Sequence, residues 1–210
     1  MPRSLLLLFL TAGFAATAPV PDLEVLFLDA KMWDKPVGEV LKDRKPLGFY
    51  WLSKERNDAR SNRRNLKLWE QPVGETILRS RKDKLHSFDI SIYNRGDNGD
   101  TPRDKFEALT EKWRSLMVEK TGLEGEKMNR TQKGSVVSAD RWVWKCPGAY
   151  LVLTSSMSGS ARGRVPEFLK LSLVSVKFGA EIYDQRSGLT GVMARRRDLI
   201  SNRVEKPNGD

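Results

Sequence analysis

Across 210 residues the chain carries one cysteine, Cys146, and one histidine, His86. A single thiol cannot close an intrachain disulfide, so the core must hold without covalent staples. One imidazole and one thiol also fall short of the usual zinc ligand set. No glycine loop of the nucleotide or dinucleotide type occurs, and no serine lies in a Gly-x-Ser-x-Gly elbow. Cys146 stands at a strand end before Pro147 with no surrounding motif of a catalytic thiol, so an idle thiol is expected and no catalytic residue is assigned. His86 is in phase with Phe88, Ile90 and Ile92, which predicts a place at the rim of the apolar face of a strand. The oxygen-rich run Asp97-Asn98-Gly99-Asp100 lacks the spacing of a calcium loop. It directly precedes a helix, where turn and cap chemistry account for it. No metal, nucleotide or other cofactor is expected.

Long apolar runs are scarce too, with one exception at the start. Arg3, the run from Leu5 to Leu10 continued by Ala12, Phe14 and Ala15, and the small exit Ala16-Thr17-Ala18 read as a secretory signal over residues 1–18. The run is shorter than the roughly 20 apolar residues of a membrane span. Pro19 is awkward directly after a cut, which leaves cleavage somewhere between Ala15 and Pro19; an uncleaved N-terminal helix is the second reading. Export through such a signal predicts a secreted or periplasmic protein. Residues 19–178 then suffice for a single domain. Residues 179–210, with Arg195-Arg196-Arg197 and little apolar periodicity, predict a basic, mobile tail. Asn208-Gly209-Asp210 is turn chemistry after a strand-like run, Ile200 to Lys206, with no return strand. Either the tail is unstructured, or a larger protein would continue here.

What the chain has in plenty is positive charge. The formal net charge is +10, from 37 Lys and Arg against 27 Asp and Glu. The excess concentrates between Lys42 and Lys84, where thirteen basic residues face six acidic ones. Such a field favours anionic partners. Arg60, Arg63, Arg64, Arg79 and Arg81, interleaved with Trp51 and Trp69, are the candidate anion-binding residues, since arginine beside aromatic rings suits polyanions. The opposing reading is a well-hydrated surface over tryptophans that belong to the core.

One motif occurs twice. Trp33-Asp34-Lys35-Pro36-Val37-Gly38-Glu39 and Trp69-Glu70-Gln71-Pro72-Val73-Gly74-Glu75 share the pattern W-[DE]-x-P-V-G-E, 36 residues apart. The pattern fits a duplicated unit, and equally two similar turn entries in which Pro fixes φ and Gly relaxes it. Apolar and polar residues alternate through Phe88 to Tyr93, and Lys82-Asp83-Lys84 supplies a turn, so a hairpin over 75–93 is predicted. Residues 141–145, 149–155 and 167–178 read as three further strands, antiparallel because their connections are too short for crossovers. Thr101 is the expected N-cap of a helix over about 102–121, with Pro102 in its first position. Phe106, Leu109, Trp113, Leu116 and Met117 share one face of that helix, and Gly122 closes it. The sum is an α+β fold, an antiparallel sheet of about five to seven strands packed on one long helix.

Several of these residues carry a family resemblance. Trp33 with Pro36, Phe49-Tyr50-Trp51-Leu52-Ser53 with Ala59-Arg60-Ser61, Pro72-Val73-Gly74-Glu75, Ile90 to Asp97 with Gly99, Trp142 to Trp144, and Glu167-Phe168 resemble one module. It is the uncharacterised N-terminal module of secreted bacterial proteins that continue into a papain-like cysteine-peptidase domain of the bacteriocin-processing type. The resemblance spans roughly residues 30–178 and implies an accessory module without the peptidase half; Cys146 does not match the peptidase nucleophile. The leading expectation is therefore a secreted, non-catalytic binding or accessory module that partners a peptidase-like protein. The alternative is a binder of an anionic envelope polymer through the 42–84 segment, and a Cys-dependent enzyme is the third.

Overall fold

A computed structural model describes residues 23–24, 30–43, 47–52, 58–61, 63, 65–131, 137–159, 163–180 and 183. The predicted signal segment, Arg64, and nearly all of the predicted tail over 179–210 lie outside these residues. A 3-10 helix, Ala30–Asp34, leads into α1, Val37–Asp43. There follow β1 (Phe49–Trp51), β2 (Asp58–Ser61), β3 (Lys67–Leu68), β4 (Gln71–Pro72), β5 (Thr76–Arg81) and β6 (Lys84–Asn94). Next come α2 (Arg95–Asn98), α3 (Arg103–Thr121), β7 (Glu126–Thr131), β8 (Val137–Lys145), β9 (Ala149–Ser158), β10 (Val165–Ser175) and α4 (Val176–Gly179).

The fold is α+β, and its large sheet has eight strands rather than five to seven, in the order β1-β2-β5-β6-β10-β9-β8-β7. All its pairings are antiparallel. β3 and β4 form a separate two-stranded hairpin. Two of the strands, β2 and β7, have the polar sequences Asp-Ala-Arg-Ser and Glu-Lys-Met-Asn-Arg-Thr. They are strands because neighbours offer backbone partners, not because of an intrinsic pattern. β6 and β10 join the N-terminal hairpin to the C-terminal meander, with Leu171 opposite Ile90 and Leu173 opposite Phe88.

One face of the sheet packs on α3. Phe106, Trp113 and Met117 of the helix are buried in one cluster with Leu78, Phe88, Ile90, Tyr93, Trp144, Leu151, Leu153, Leu169, Leu171 and Leu173. Met32, Val37 and Val40 from the first turns join it, as do Leu47, Leu66 and Leu68. Phe106 meets Tyr93 edge to face with ring centroids 5.4 Å apart, a favoured aromatic geometry. The indole N–H of Trp144 donates to the Leu123 carbonyl at 3.1 Å, so this buried ring keeps its polar atom satisfied. Leu109 and Leu116 lie half-buried at the margins of the helix face, and Thr110 takes a buried place beside Phe106.

The helix starts one position later than expected. Pro102 is the N-cap and makes no side-chain cap bond, so Thr101 does not serve as the cap. At the other end Gly122 has φ +65°, and its N–H donates to the Val118 carbonyl, the left-handed stop that glycine supplies without strain. The two W-[DE]-x-P-V-G-E copies take different shapes. In the first, Pro36 bridges Lys84 and Val37 opens α1. In the second, Trp69 and Glu70 form the turn between β3 and β4, and Gly74 and Glu75 bond to Ser91 ahead of β5. The predicted strand over 167–178 ends at Ser175; the Ser175 hydroxyl then accepts from the Phe178 N–H and caps α4.

Candidate functional site on the outer face of the sheet

The second face of the sheet, turned away from α3, gathers the polar and charged side chains, and the strand register sets them in rows. One row runs Tyr50, Arg60, Ile77, Asp89, Ser172, Val152, Val143. Beside it stand Asp58, Arg79, Ser87, Val174, Tyr150 and Lys145. On the other flank lie Ser91, Lys170, Thr154, Arg141 and Met128, and beyond them Asn94, Phe168, Ser156 and Ala139. Each row crosses elements from both ends of the chain, which is why the grouping is invisible in linear order.

Asp89 is the centre of the first charged cluster. Its carboxylate, 9% exposed, accepts from Arg79 Nε at 2.9 Å, from Lys170 Nζ at 3.2 Å and from the Ser172 hydroxyl at 2.7 Å. Arg79 also reaches Asp58, at 3.0 Å. Burial alone would raise the Asp89 pKa, but Lys170, Ser172 and Arg79 together outweigh it and hold the carboxyl below its ordinary range. The guanidinium of Arg79 is correspondingly held above its ordinary range by Asp89 and Asp58, against the downward push of its partial burial.

The arginines singled out in the sequence are distributed as follows. Arg60, Arg79 and Arg81 stand on the outer face, on β2 and β5. Arg60 is paired with Glu75, and Arg79 with Asp58 and Asp89, so much of their charge is balanced within the fold. Arg81 is exposed at the end of β5. Arg63 is exposed just past β2, where its backbone N–H donates to the Ser61 hydroxyl at 3.1 Å. Arg64 lies outside the described residues. Sequence reasoning missed Arg141, Lys145 and Lys170, which lie far from the 42–84 segment and join the same face through register alone.

His86 sits on this face and not at the rim of the apolar one. Between Arg79 and Ser80 the β5–β6 register shifts, with Arg79 opposite Ser87 and Ser80 opposite Leu85. Leu85 and Phe88, three apart, both reach the core, so the bulge turns His86 outward with Ser87 and breaks the period of two. There its ring packs on Phe178 of α4. Burial first, and then Arg79, push its pKa below the ordinary histidine value. Its Nδ1 is buried without a hydrogen-bond partner among the described residues.

Cys146 lies on the opposite side, packed against the main core. Burial pushes its thiol up to about 11, which keeps it protonated. The sheet therefore separates the thiol from the imidazole. In the Asp97-Asn98-Gly99-Asp100 loop, the Asn98 side chain accepts from the Asn94 N–H at 2.9 Å, and Asp100 pairs with Arg95 at 2.6 Å. Arg95 also reaches Glu167 of β10 at 3.4 Å, pinning the loop to the sheet. Local caps and ion pairs thus use these oxygens, and no group of three or more metal-ligating side chains occurs among the described residues.

Past Ser175 the chain folds back across part of the outer face. Gly179 packs directly on the Tyr150 ring, where any Cβ would collide with it. Tyr183 stacks on the same ring at 6.1 Å. Tyr150 with Val143, Val152 and Val174 forms a second, smaller apolar cluster, against which Tyr183 and Phe178 pack. Burial raises the Tyr183 pKa; Arg141 opposes that push and Asp89 adds to it. No helix among the described residues is long and apolar enough to cross a membrane. Neither a protein-family model, nor a curated protein, nor a solved structure matches the chain.

Proposed function

We propose that this protein is an exported binding module that attaches to an anionic partner through the outer face of its sheet, and that it works by recognition without bond-making chemistry. The observation that carries the reading is the cationic row geometry: Lys170 and Arg141 flank Thr154, while Lys145 and Arg81 stand at the face's border. Exposed Tyr50 and Phe168 add aromatic surface to the same face. Rings beside cations suit extended anionic chains, which present charge and apolar surface alternately. An anionic polymer of the cell envelope is the partner class that export would bring within reach. The separation of Cys146 and His86 by the sheet supports recognition over thiol chemistry.

Retention on an immobilised anionic polymer at low ionic strength tests this. It should fall steeply as salt rises, because exposed charges are screened over about 10 Å at 0.1 M. The double change Lys145→Glu and Arg81→Glu should weaken retention while leaving the circular dichroism spectrum unaltered. Retention that ignores both salt and these substitutions would exclude the reading. A papain-like peptidase partner is the alternative, supported by the resemblance of residues 30–178; co-elution with such an enzyme at high salt would favour it.

A further inference from the structure

We infer that the outer face holds a discrete site for one tetrahedral oxyanion, a phosphate or sulfate group, built from Arg141, Lys170, Thr154 and Ser156. The inference rests on the anion-binding reading and assigns it a point of attachment. Thr154 lies directly between Lys170 on β10 and Arg141 on β8. Two strand spacings separate the backbones of the two cations, about 10 Å, a span that long basic side chains close easily over a group seated above Thr154.

Three features set this place apart from the rest of the basic surface. Arg60 and Arg79 are matched by acids of the fold, whereas half-buried Arg141 has no carboxylate partner among the described residues. The Ser156 residue is 1% exposed, yet its hydroxyl has no hydrogen-bond partner among the described residues. It stands two positions along β9 from Thr154, on the same face and next to Phe168. A buried hydroxyl left unmatched is costly, and an acceptor-rich ligand would relieve that cost. The donors also fit the group: a tetrahedral dianion offers several acceptor oxygens, and a guanidinium, an ammonium and two hydroxyls can fill them. Lys170 remains bonded to Asp89 and keeps further N–H donors for the ligand. Phe168, at the edge of the site, would lie against whatever carries the group.

The test is titration of the isotopically labelled full chain with inorganic phosphate, sulfate and acetate, following the amide resonances of Thr154 and Ser156. Phosphate and sulfate should move both resonances saturably. In Arg141→Gln the apparent affinity should fall at least tenfold, and in Thr154→Val, which leaves every charge in place, about three- to tenfold; one such hydrogen bond to a charged group is worth that much or more. Arg103→Gln, an exposed position on α3 away from the outer face, should bind as the parent does. A soluble glycerol phosphate oligomer reads the polymer-borne form of the same group: competition with phosphate at these resonances assigns the site to a polymer, and tighter binding of free phosphate assigns it to a small anion. The site is overturned by unmoved Thr154 and Ser156 resonances, by undiminished affinity in a folded Arg141→Gln, or by acetate saturating as well as phosphate. Salt-sensitive polymer retention surviving in Arg141→Gln would then leave the broader anion-binding reading standing without this site.

Discussion

The imidazole of His86 lies against the ring of Phe178, with centroids 4.5 Å apart, so the only histidine of the chain fastens α4 to the outer face of the sheet. The contact joins a bulge in β6 to the segment that follows β10. It has an apolar partner on one side and charged groups, Arg79, Arg81, Asp58 and Asp89, around it.

That setting gives a pH dependence of known sign. The folded-state pKa of His86 is lowered from the ordinary value of 6.5, by burial above all and then by Arg79. The unfolded chain therefore binds the proton more readily, and stability rises with pH through the interval below 6.5. As pH falls from 7 through that interval the fold should lose stability, and the amides of α4 should exchange faster. His86→Phe should flatten this part of the profile. A histidine resonance titrating above 6.5 in the folded chain would contradict the prediction.

A second prediction concerns the turn between β5 and β6. Lys82 and Asp83 have φ of 52° and 60°, left-handed conformations that cost side-chain-bearing residues free energy. A two-residue hairpin turn of this kind favours Asn-Gly. The double change Lys82→Asn and Asp83→Gly should stabilise the protein by about 0.5–1.5 kcal/mol, since both replacements accept the native backbone at lower strain. Chemical denaturation would read this as a raised midpoint at unchanged slope.

Much of the architecture was legible where a local rule coincided with burial. Trp113 and Met117 lie on the helical face that the spacing marked out, and Phe88 and Ile90 on the apolar face of the strand. Gly122 ends the helix as its type implies. The rest depended on partners distant in sequence. β2 and β7 lack an apolar alternation and are ordered by pairing with Ile77 and Trp142 on neighbouring strands. His86 was misplaced because a bulge shifts the phase without any Gly or Pro to mark it. The basic cluster was sought within one segment, but the sheet order places Lys170 and Arg141, 29 positions apart, on either side of Thr154.

The thiol gives a third prediction. With Cys146 pushed up to about 11 by burial, only on the order of one thiol in a thousand is ionised at pH 8. Alkylation by iodoacetamide should therefore be far slower than for a free cysteine, and should accelerate to the free rate once denaturant unfolds the chain. Rapid single-site labelling of the folded protein at pH 7 would reveal an activated thiol and revive the enzyme reading.

The last prediction turns on Asp89. Its carboxylate is the shared acceptor of Arg79, Lys170 and Ser172, and it lies nearly out of solvent. Breaking a fully buried ion pair costs about 3–5 kcal/mol; the cationic partners here are more than a third exposed, and solvent screening reduces the figure to about 2–3 kcal/mol for Asp89→Ala. Asp89→Asn, which keeps an acceptor oxygen for Ser172, should cost less than Asp89→Ala. Because the folded pKa is lowered from 3.8, the contribution is complete above that value and disappears as acid carries the pH down through the folded pKa. Urea unfolding at pH 7 and at pH 3 separates the two effects: the parent should lose part of its stability between them, and Asp89→Asn, with nothing to titrate at this position, should lose less. Equal losses in both proteins would mean that the acid sensitivity of the fold resides in other carboxylates, and that the network around Asp89 is held together by its hydrogen bonds alone.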